Sequence, residues 1–329
     1  MSGTKLVMGA NGFLGSHVTR QLVERGDDVR VWIRRTSDTQ SLAGLDVERR
    51  HGELGDDEAL REAMRGVDTV FYCIVDARAW LRDPAPLFAT NVEALRQVLD
   101  AAVEVGVPRF VFCSTVGTIA VVEHGLAHNW AHLGGPYIES RIAAEELVLR
   151  YGREHGLPVV ALCVATTYGP GDYGPTPHGR LVAAAARGRL PVYVRDNSME
   201  VVGIEDAARA FLLAEERGRP GERYIISERF MSIQELLTTA AREGGVAPPR
   251  WGIPLPAMRV LGALGALAAR LRRQDSVVTP VSVRLMHVMS PLDHSKATRE
   301  LGWEPAPTTD AVRAQARFFL ARPAVSLTP

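Results

Sequence analysis

Through the first half of the chain, short apolar runs alternate with longer stretches in which apolar positions recur every three or four residues. A short continuous apolar run marks a strand buried on both faces, and recurrence near 3.6 marks an amphipathic helix. The pattern predicts strands over residues 5–8, 29–33, 47–50, 69–73, 109–113 and 159–164. Between them it predicts helices over 12–25, 58–64, 86–105 and 137–154. Four helix-to-strand connections carry a glycine at the stop, Gly26, Gly66, Gly106 and Gly156, as a left-handed C-cap requires. Strands alternating with helices give an α/β fold, a Rossmann-type doubly wound parallel sheet.

After Thr166 the texture changes to a Gly- and Pro-rich loop and then to shorter helices separated by prolines. Residues 1–165 are therefore expected to form the Rossmann-type domain. Residues 166–200 and 228–329 are expected to form a smaller, mostly helical substrate-binding domain. Return segments lie at about 201–227, where 201–203 and 224–227 read as short strands rejoining the main sheet.

Composition narrows the partner. Lys plus Arg and Asp plus Glu both number 38, so no net field draws the chain to nucleic acid or anionic lipid, and a small molecule is expected instead. The three cysteines, Cys73, Cys113 and Cys163, sit singly in strand-like runs, which argues against a disulfide framework and for a reducing compartment. A strand pattern begins at Thr4, leaving no room for a signal core, so a cytoplasmic protein is expected. The apolar stretch at 253–271 is interrupted by Pro254, Pro256, Arg259 and Arg270 and reads as an amphipathic helix packed on the protein, without a membrane span. His124, His128, His132 and His178 lack metal-ligand spacing, and no metal is expected.

The densest chemistry lies at Gly9-Ala10-Asn11-Gly12-Phe13-Leu14-Gly15, which follows a strand and opens a helix. One glycine lets the chain turn, a second lets backbone N–H groups approach a pyrophosphate, and a third lets helix and strand pack closely. The phosphates then meet the positive end of the helix. The second strand continues into Arg34 and Arg35 with no carboxylate at its end. A carboxylate there would hold an NAD ribose. Two guanidiniums suit a 2′-phosphate, so NADP(H) is the expected cofactor, the alternative being a solvated basic turn. Glu53 and Leu54 follow the third strand where an adenine would rest; an exposed Glu53 without contact is the other reading.

These residues resemble the extended short-chain dehydrogenase/reductase superfamily, of the NAD-dependent epimerase/dehydratase type. The resemblance rests on the glycine turn, Asn91-Val92-Glu93, Phe112-Cys113-Ser114-Thr115, Tyr137 and Tyr168-Gly169-Pro170-Gly171-Asp172. Segments around Arg34, Arg180 and Arg219 are similar to the dihydroflavonol-reductase-like branch that includes the hopanoid-associated sugar epimerases. The resemblance implies Tyr137 as proton donor or acceptor and Thr115 as the hydroxyl that holds the substrate oxygen. It extends the cofactor contacts to Cys73, Asn91, Tyr137, Arg141 and Val164, and implies a homodimer through helices 86–105 and 137–154. The family's lysine, four residues after the tyrosine and on the same helix face, is Arg141 here. Arginine keeps the charge that lowers a tyrosine pKa, but its planar fork occupies a different point.

On the substrate side, Asp76 and Trp80 border the expected nicotinamide end, with Ser114, Tyr168, His178 and Arg180 as further candidates. Trp80 reads equally as a wall for the substrate or a core anchor. The chemistry expected is NADPH-dependent reduction of a carbonyl, or oxidation of the corresponding alcohol. Two alternatives stay open: an epimerase or dehydratase of a sugar-like substrate, and a non-catalytic dinucleotide sensor in which Arg141 marks lost activity.

Overall fold

In a computed structural model of the chain, the residues described are 3–81, 83–119, 130–254, 256–258, 260, 262 and 291–324, with side chains at 130–134 excepted. The first half forms β1 (Thr4–Met8), α1 (Phe13–Arg25), β2 (Val29–Ile33), β3 (Glu48–His51), α2 (Asp57–Met64) and β4 (Val67–Tyr72). After these come α3 (Ala85–Phe88), a π-helical turn (Ala89–Glu93), α4 (Ala94–Val105), β5 (Phe110–Thr115), α5 (Trp130–His155) and β6 (Val159–Val164). The predicted elements appear with ends shifted by a few residues. The helix predicted over 86–105 is interrupted by the π turn, and α5 is kinked at Gly135 (φ 69°) with Pro136 following. Proline suits the first turn of the helical stretch that carries Tyr137 because its missing N–H would have had no partner there.

Six of these strands and β10 (Arg223–Ile226) make one parallel seven-stranded sheet in the order β10-β6-β5-β4-β1-β2-β3. Alternate side chains of each strand feed opposite layers. Val7, Val31 and Phe71 join Val18 and Leu22 of α1 on one face, while Leu6, Met8 and Phe112 join Leu99 of α4 and Val148 of α5 on the other. Strand order reverses between β1 and β4, opening a crevice at the carboxyl ends of these two strands, the switch point where ligands of open α/β sheets bind.

The remainder adds β7 (Thr166–Tyr168), α6 (Pro177–Ala186), β8 (Val192–Val194), β9 (Ser198–Gly203) and α7 (Ile204–Arg217). It continues past β10 with β11 (Arg229–Ser232), α8 (Ile233–Glu243), β12 (Trp251–Ile253), α9 (Ser295–Leu301) and α10 (Thr308–Leu320). Segment 224–227 meets its expectation in β10. Segment 201–203 does not: it belongs to β9, which pairs with β7 and β11 in a separate three-stranded sheet. The short apolar run fits either sheet. Its partners are selected by the third apolar cluster, where Val201 and Met199 meet Tyr168, Val182, Leu236 and Phe319. Most of the predicted helix at 253–271, and the histidines at 124 and 128, lie outside the described residues, and of His132 only the backbone is described. No described helix is long and apolar enough to cross a membrane.

Candidate active site

The turn between β1 and α1 is built by close backbone approach. Gly9 takes φ 82°, and a Cβ there would sit 3.0 Å from the carbonyl carbon of Cys73 at the end of β4. Gly12 N–H donates to the Gly9 carbonyl (3.0 Å), and a Cβ on Gly15 would lie only 2.2 Å from that same oxygen. Only glycine allows α1 to start this near the strand. No side chain caps α1 among the described residues, and its first turn holds no acid, so its opening N–H groups and positive dipole end are left for an anion. This cradle fits a dinucleotide pyrophosphate. Phe13 and Leu14 are half-buried beside it, and the Asn11 carbonyl accepts a hydrogen bond from Ser41 Oγ (3.0 Å).

Arg34 and Arg35 are exposed directly beyond Ile33, the residue of β2 that pairs with His51 of β3. Glu53 is exposed, Leu54 packs partly on the second cluster, and the Trp32 ring lies so close to Gly52 that a Cβ there would meet it at 2.2 Å. Gly52 thus lets the chain pass the buried indole into the segment bearing Glu53.

Across the sheet, β5 delivers Thr115 and α5 delivers Tyr137. A Cβ on Gly117 would meet Ile138 Cδ1 at 2.7 Å and Thr115 Oγ1 at 3.5 Å, so the turn after Thr115 abuts the residue after Tyr137. Arg141 ties the same pair of elements from one helical turn further on, donating from Nη2 to the Cys113 carbonyl (2.5 Å) with its guanidinium 5.2 Å from the Phe112 ring centre. Burial pushes the Tyr137 hydroxyl above the usual tyrosine range, and the Arg141 charge opposes this without overcoming it.

Arg141 is held inside the protein. It is 1% exposed, its Nε and Nη1 are buried without hydrogen-bond partners, and no carboxylate pairs with it among the described residues. A guanidinium turned toward an open cleft would present these N–H groups to solvent or cofactor. This one lies over the Phe112 ring instead.

Three other candidates are engaged by the protein itself. Asn91, on the π turn, spends its amide on the Asp76 backbone in both directions (2.8 and 3.0 Å) and on Ser140 Oγ (3.0 Å), which in turn donates to the Tyr137 carbonyl (2.8 Å). It stitches the loop after β4 to α5 from behind the site. Ser114 is buried and donates to Glu145 of α5, since strand alternation turns it into the helix layer. Tyr168 is 0% exposed, in the third cluster, its hydroxyl 3.4 Å from His178 Nδ1 and 3.6 Å from Met199 Sδ. Burial holds His178 down to about 4, neutral at physiological pH.

The remaining candidates lie nearer the sheet edge. Asp76 is buried and paired with Arg78 through two contacts (2.9 and 2.5 Å), which holds its carboxyl below the usual range. Trp80 and Cys73 are half-buried, Val164 is buried in the first cluster, and Arg180 Nε donates to the Pro175 carbonyl (3.0 Å). Glu145 escaped the sequence reading. This buried carboxylate gathers Ser114 and Thr118 hydroxyls, Cys163 Sγ (3.4 Å) and Arg223 Nη1 (2.8 Å), and Thr118 also donates to the Thr115 carbonyl (2.8 Å). The one available signal was its place two turns after Tyr137 on the same helix face.

A glycine cradle at the switch point of a doubly wound sheet, with β5 and α5 packed together beside it, is the architecture of an NAD(P)-dependent oxidoreductase of the short-chain type. Residues 5–227 match the NAD dependent epimerase/dehydratase family, and the chain belongs to that extended short-chain dehydrogenase/reductase family. It is 31% identical to sterol demethylase protein B of Methylococcus capsulatus, over 97% of this chain and 99% of that protein. It is 28% identical to a putative dihydroflavonol 4-reductase of Synechocystis, over 97% of this chain and 95% of that protein. The crystal structure of gox2253 superposes with a TM-score of 0.85 at 32% identity, covering 98% of this chain and 99% of that one.

Proposed function

We propose that the protein is an NADPH-dependent reductase of a carbonyl on a small or medium-sized metabolite, able to run in reverse on the alcohol. The observation that carries this reading is the packing of the turn after Thr115 against Ile138, with Arg141 tied to the Cys113 carbonyl, which supports Thr115 and Tyr137 as partners at the sheet edge that also holds the glycine cradle. A nicotinamide held there supplies or accepts the hydride. Tyr137 gives its hydroxyl proton to the substrate oxygen as the carbon is reduced, and Thr115 Oγ1 donates a hydrogen bond to that oxygen. Arg141, sealed behind Phe112, acts through its fixed charge: it limits how far burial raises the Tyr137 pKa and steadies the phenolate left after proton transfer. The glycine turn holds the pyrophosphate, and Arg34 and Arg35 hold the 2′-phosphate.

One observation favours a reductase of an unphosphorylated substrate over a nucleotide-sugar epimerase. Of the three cations that would suit a substrate diphosphate, Arg187 donates to the carbonyls of Phe319 and Arg322 (2.5 and 2.8 Å) and Arg180 to that of Pro175, while Arg189 stays exposed.

The test is a fluorescence titration with NADPH and NADH, followed by a carbonyl panel of sugars, steroids and β-keto compounds. Tyr137→Phe is expected to lower turnover by about 100-fold or more while NADPH affinity stays within about twofold; unchanged turnover sinks the assignment. Reduction should hold steady through neutral pH, and alcohol oxidation, which needs the phenolate, should still be rising above pH 10. Tight NADPH binding with no turnover on any carbonyl would support the sensor alternative.

A further inference from the structure

The segment between β2 and β3 bears the two exposed guanidiniums, and one buried hydroxyl fastens it to the glycine turn. Arg34, Arg35, Thr36 and Asp38 are exposed, whereas Ser41 is 5% exposed and Leu42 is packed in the first cluster. Within the segment, Ser37 N–H donates to the Arg34 carbonyl (3.1 Å) and Gln40 N–H to Asp38 Oδ1 (2.9 Å). Ser41 Oγ donates to the Asn11 carbonyl (3.0 Å), and Arg20 of α1 donates from Nη2 to the Ser41 carbonyl (3.3 Å). The segment is therefore fixed at one end by β2 and at the other by the cradle and its helix.

This matters because the adenosine half of NADP(H) carries phosphate at both its 5′ and 2′ oxygens, and one ribose sets the distance between them. A protein that grips both must fix the spacing of its two anion sites. A buried side-chain hydrogen bond contributes about 1 kcal/mol, enough to bias an exposed loop toward one position.

We propose that Ser41 is a positioning residue for cofactor choice: its bond to Asn11 sets the Arg34–Arg35 segment at the reach of a 2′-phosphate, so that preference for NADP(H) over NAD(H) depends on it. The proposal rests on the reading of Arg34 and Arg35 as a 2′-phosphate site. Loss of the strut should weaken ligands that carry the 2′-phosphate and spare those that do not, whereas a purely structural serine would weaken both alike.

The experiment titrates NADPH, NADH and 2′,5′-ADP against the whole chain and its Ser41→Ala, Ser41→Thr and Arg20→Gln variants, with melting temperature recorded for each. Ser41→Ala is expected to weaken NADPH and 2′,5′-ADP about fivefold while NADH changes by less than about twofold, and Ser41→Thr to restore the preference. Hydrogen exchange of residues 36–40 should slow on adding 2′,5′-ADP to the parent and much less in Ser41→Ala. Should Ser41→Ala not fold, Arg20→Gln, which loosens the same segment from α1, reads the same ratio. A parent that prefers NADPH, with the ratio unmoved by the serine or arginine change, overturns the strut alone. A parent with no preference for NADPH overturns the assignment of Arg34 and Arg35, and the strut with it.

Discussion

In the turn at 9–15 the N–H groups that open α1 are left uncapped, while in the loop at 168–180 the polar side chains are engaged by the loop itself and its flanking helices. Asp172 accepts from Thr176 N (3.1 Å), Thr176 Oγ1 (2.9 Å) and Gln315 Nε2 of α10 (3.3 Å). Thr176 Oγ1 caps α6 at Gly179 N, Tyr168 is sealed, and His17 Nε2 of α1 lies 3.0 Å from the Pro170 carbonyl. Both stretches are glycine-rich and polar. The difference between them is that one leaves polar groups without partners and the other consumes them, and unspent capacity is what marks a place to bind.

Breaking the first region should have the largest effect. Gly15→Val drives side-chain atoms into the Gly9 carbonyl, and it should abolish NADPH binding and lower stability by about 1–3 kcal/mol, measured by titration and urea denaturation. Retained NADPH affinity would show that the turn does not hold the cofactor. Breaking the second region should separate stability from binding. Asp172→Ala leaves Thr176 and Gln315 without their acceptor and should cost about 1–3 kcal/mol, with NADPH affinity unchanged; a parallel loss of affinity would mean that the two regions act as one.

The smallest effects are in the pH dependence of the second region. His178 is held down to about 4, so the unfolded chain takes up its proton first and stability falls as pH drops from 6.5 toward 4. Asp172 is pushed up to about 6 by burial, so its contribution runs the other way: stability falls as pH rises from 3.8 through 6. His178→Gln should therefore flatten the acid-side loss, and Asp172→Asn should steepen it. Unfolding midpoints measured between pH 4 and 7 check both signs.

The sheet and the cradle were legible because their signals are local. Apolar runs, helix-stopping glycines and the spacing of Gly9, Gly12 and Gly15 all report on backbone within one strand–turn–helix unit. Tyr137 and Arg141 could be placed on one helix face for the same reason. What the sequence concealed depends on partners far away along the chain. The Glu145 cluster draws on Ser114, Cys163 and Arg223 from three strands, and its one local cue, a place two turns after Tyr137, does not tell a buried glutamate from a solvated one. Tyr168 looked like a ligand because polar aromatics in Gly-Pro loops often are, and only the packing of α6, β9 and α10 shows it as core. The pairing of 201–203 failed similarly, since a three-residue apolar run does not say which sheet it joins.

The seventh strand has a consequence for synthesis. β10 lies some sixty residues past β6, its neighbour in the sheet, and brings Arg223, the cation that pairs with Glu145 of α5. While a ribosome is still producing the segment between them, the nascent chain holds α5 with a buried carboxylate lacking its counter-ion and β6 with an open hydrogen-bonding edge. The amino-terminal half therefore acquires its last strand and its charge balance together, with residues 223–226.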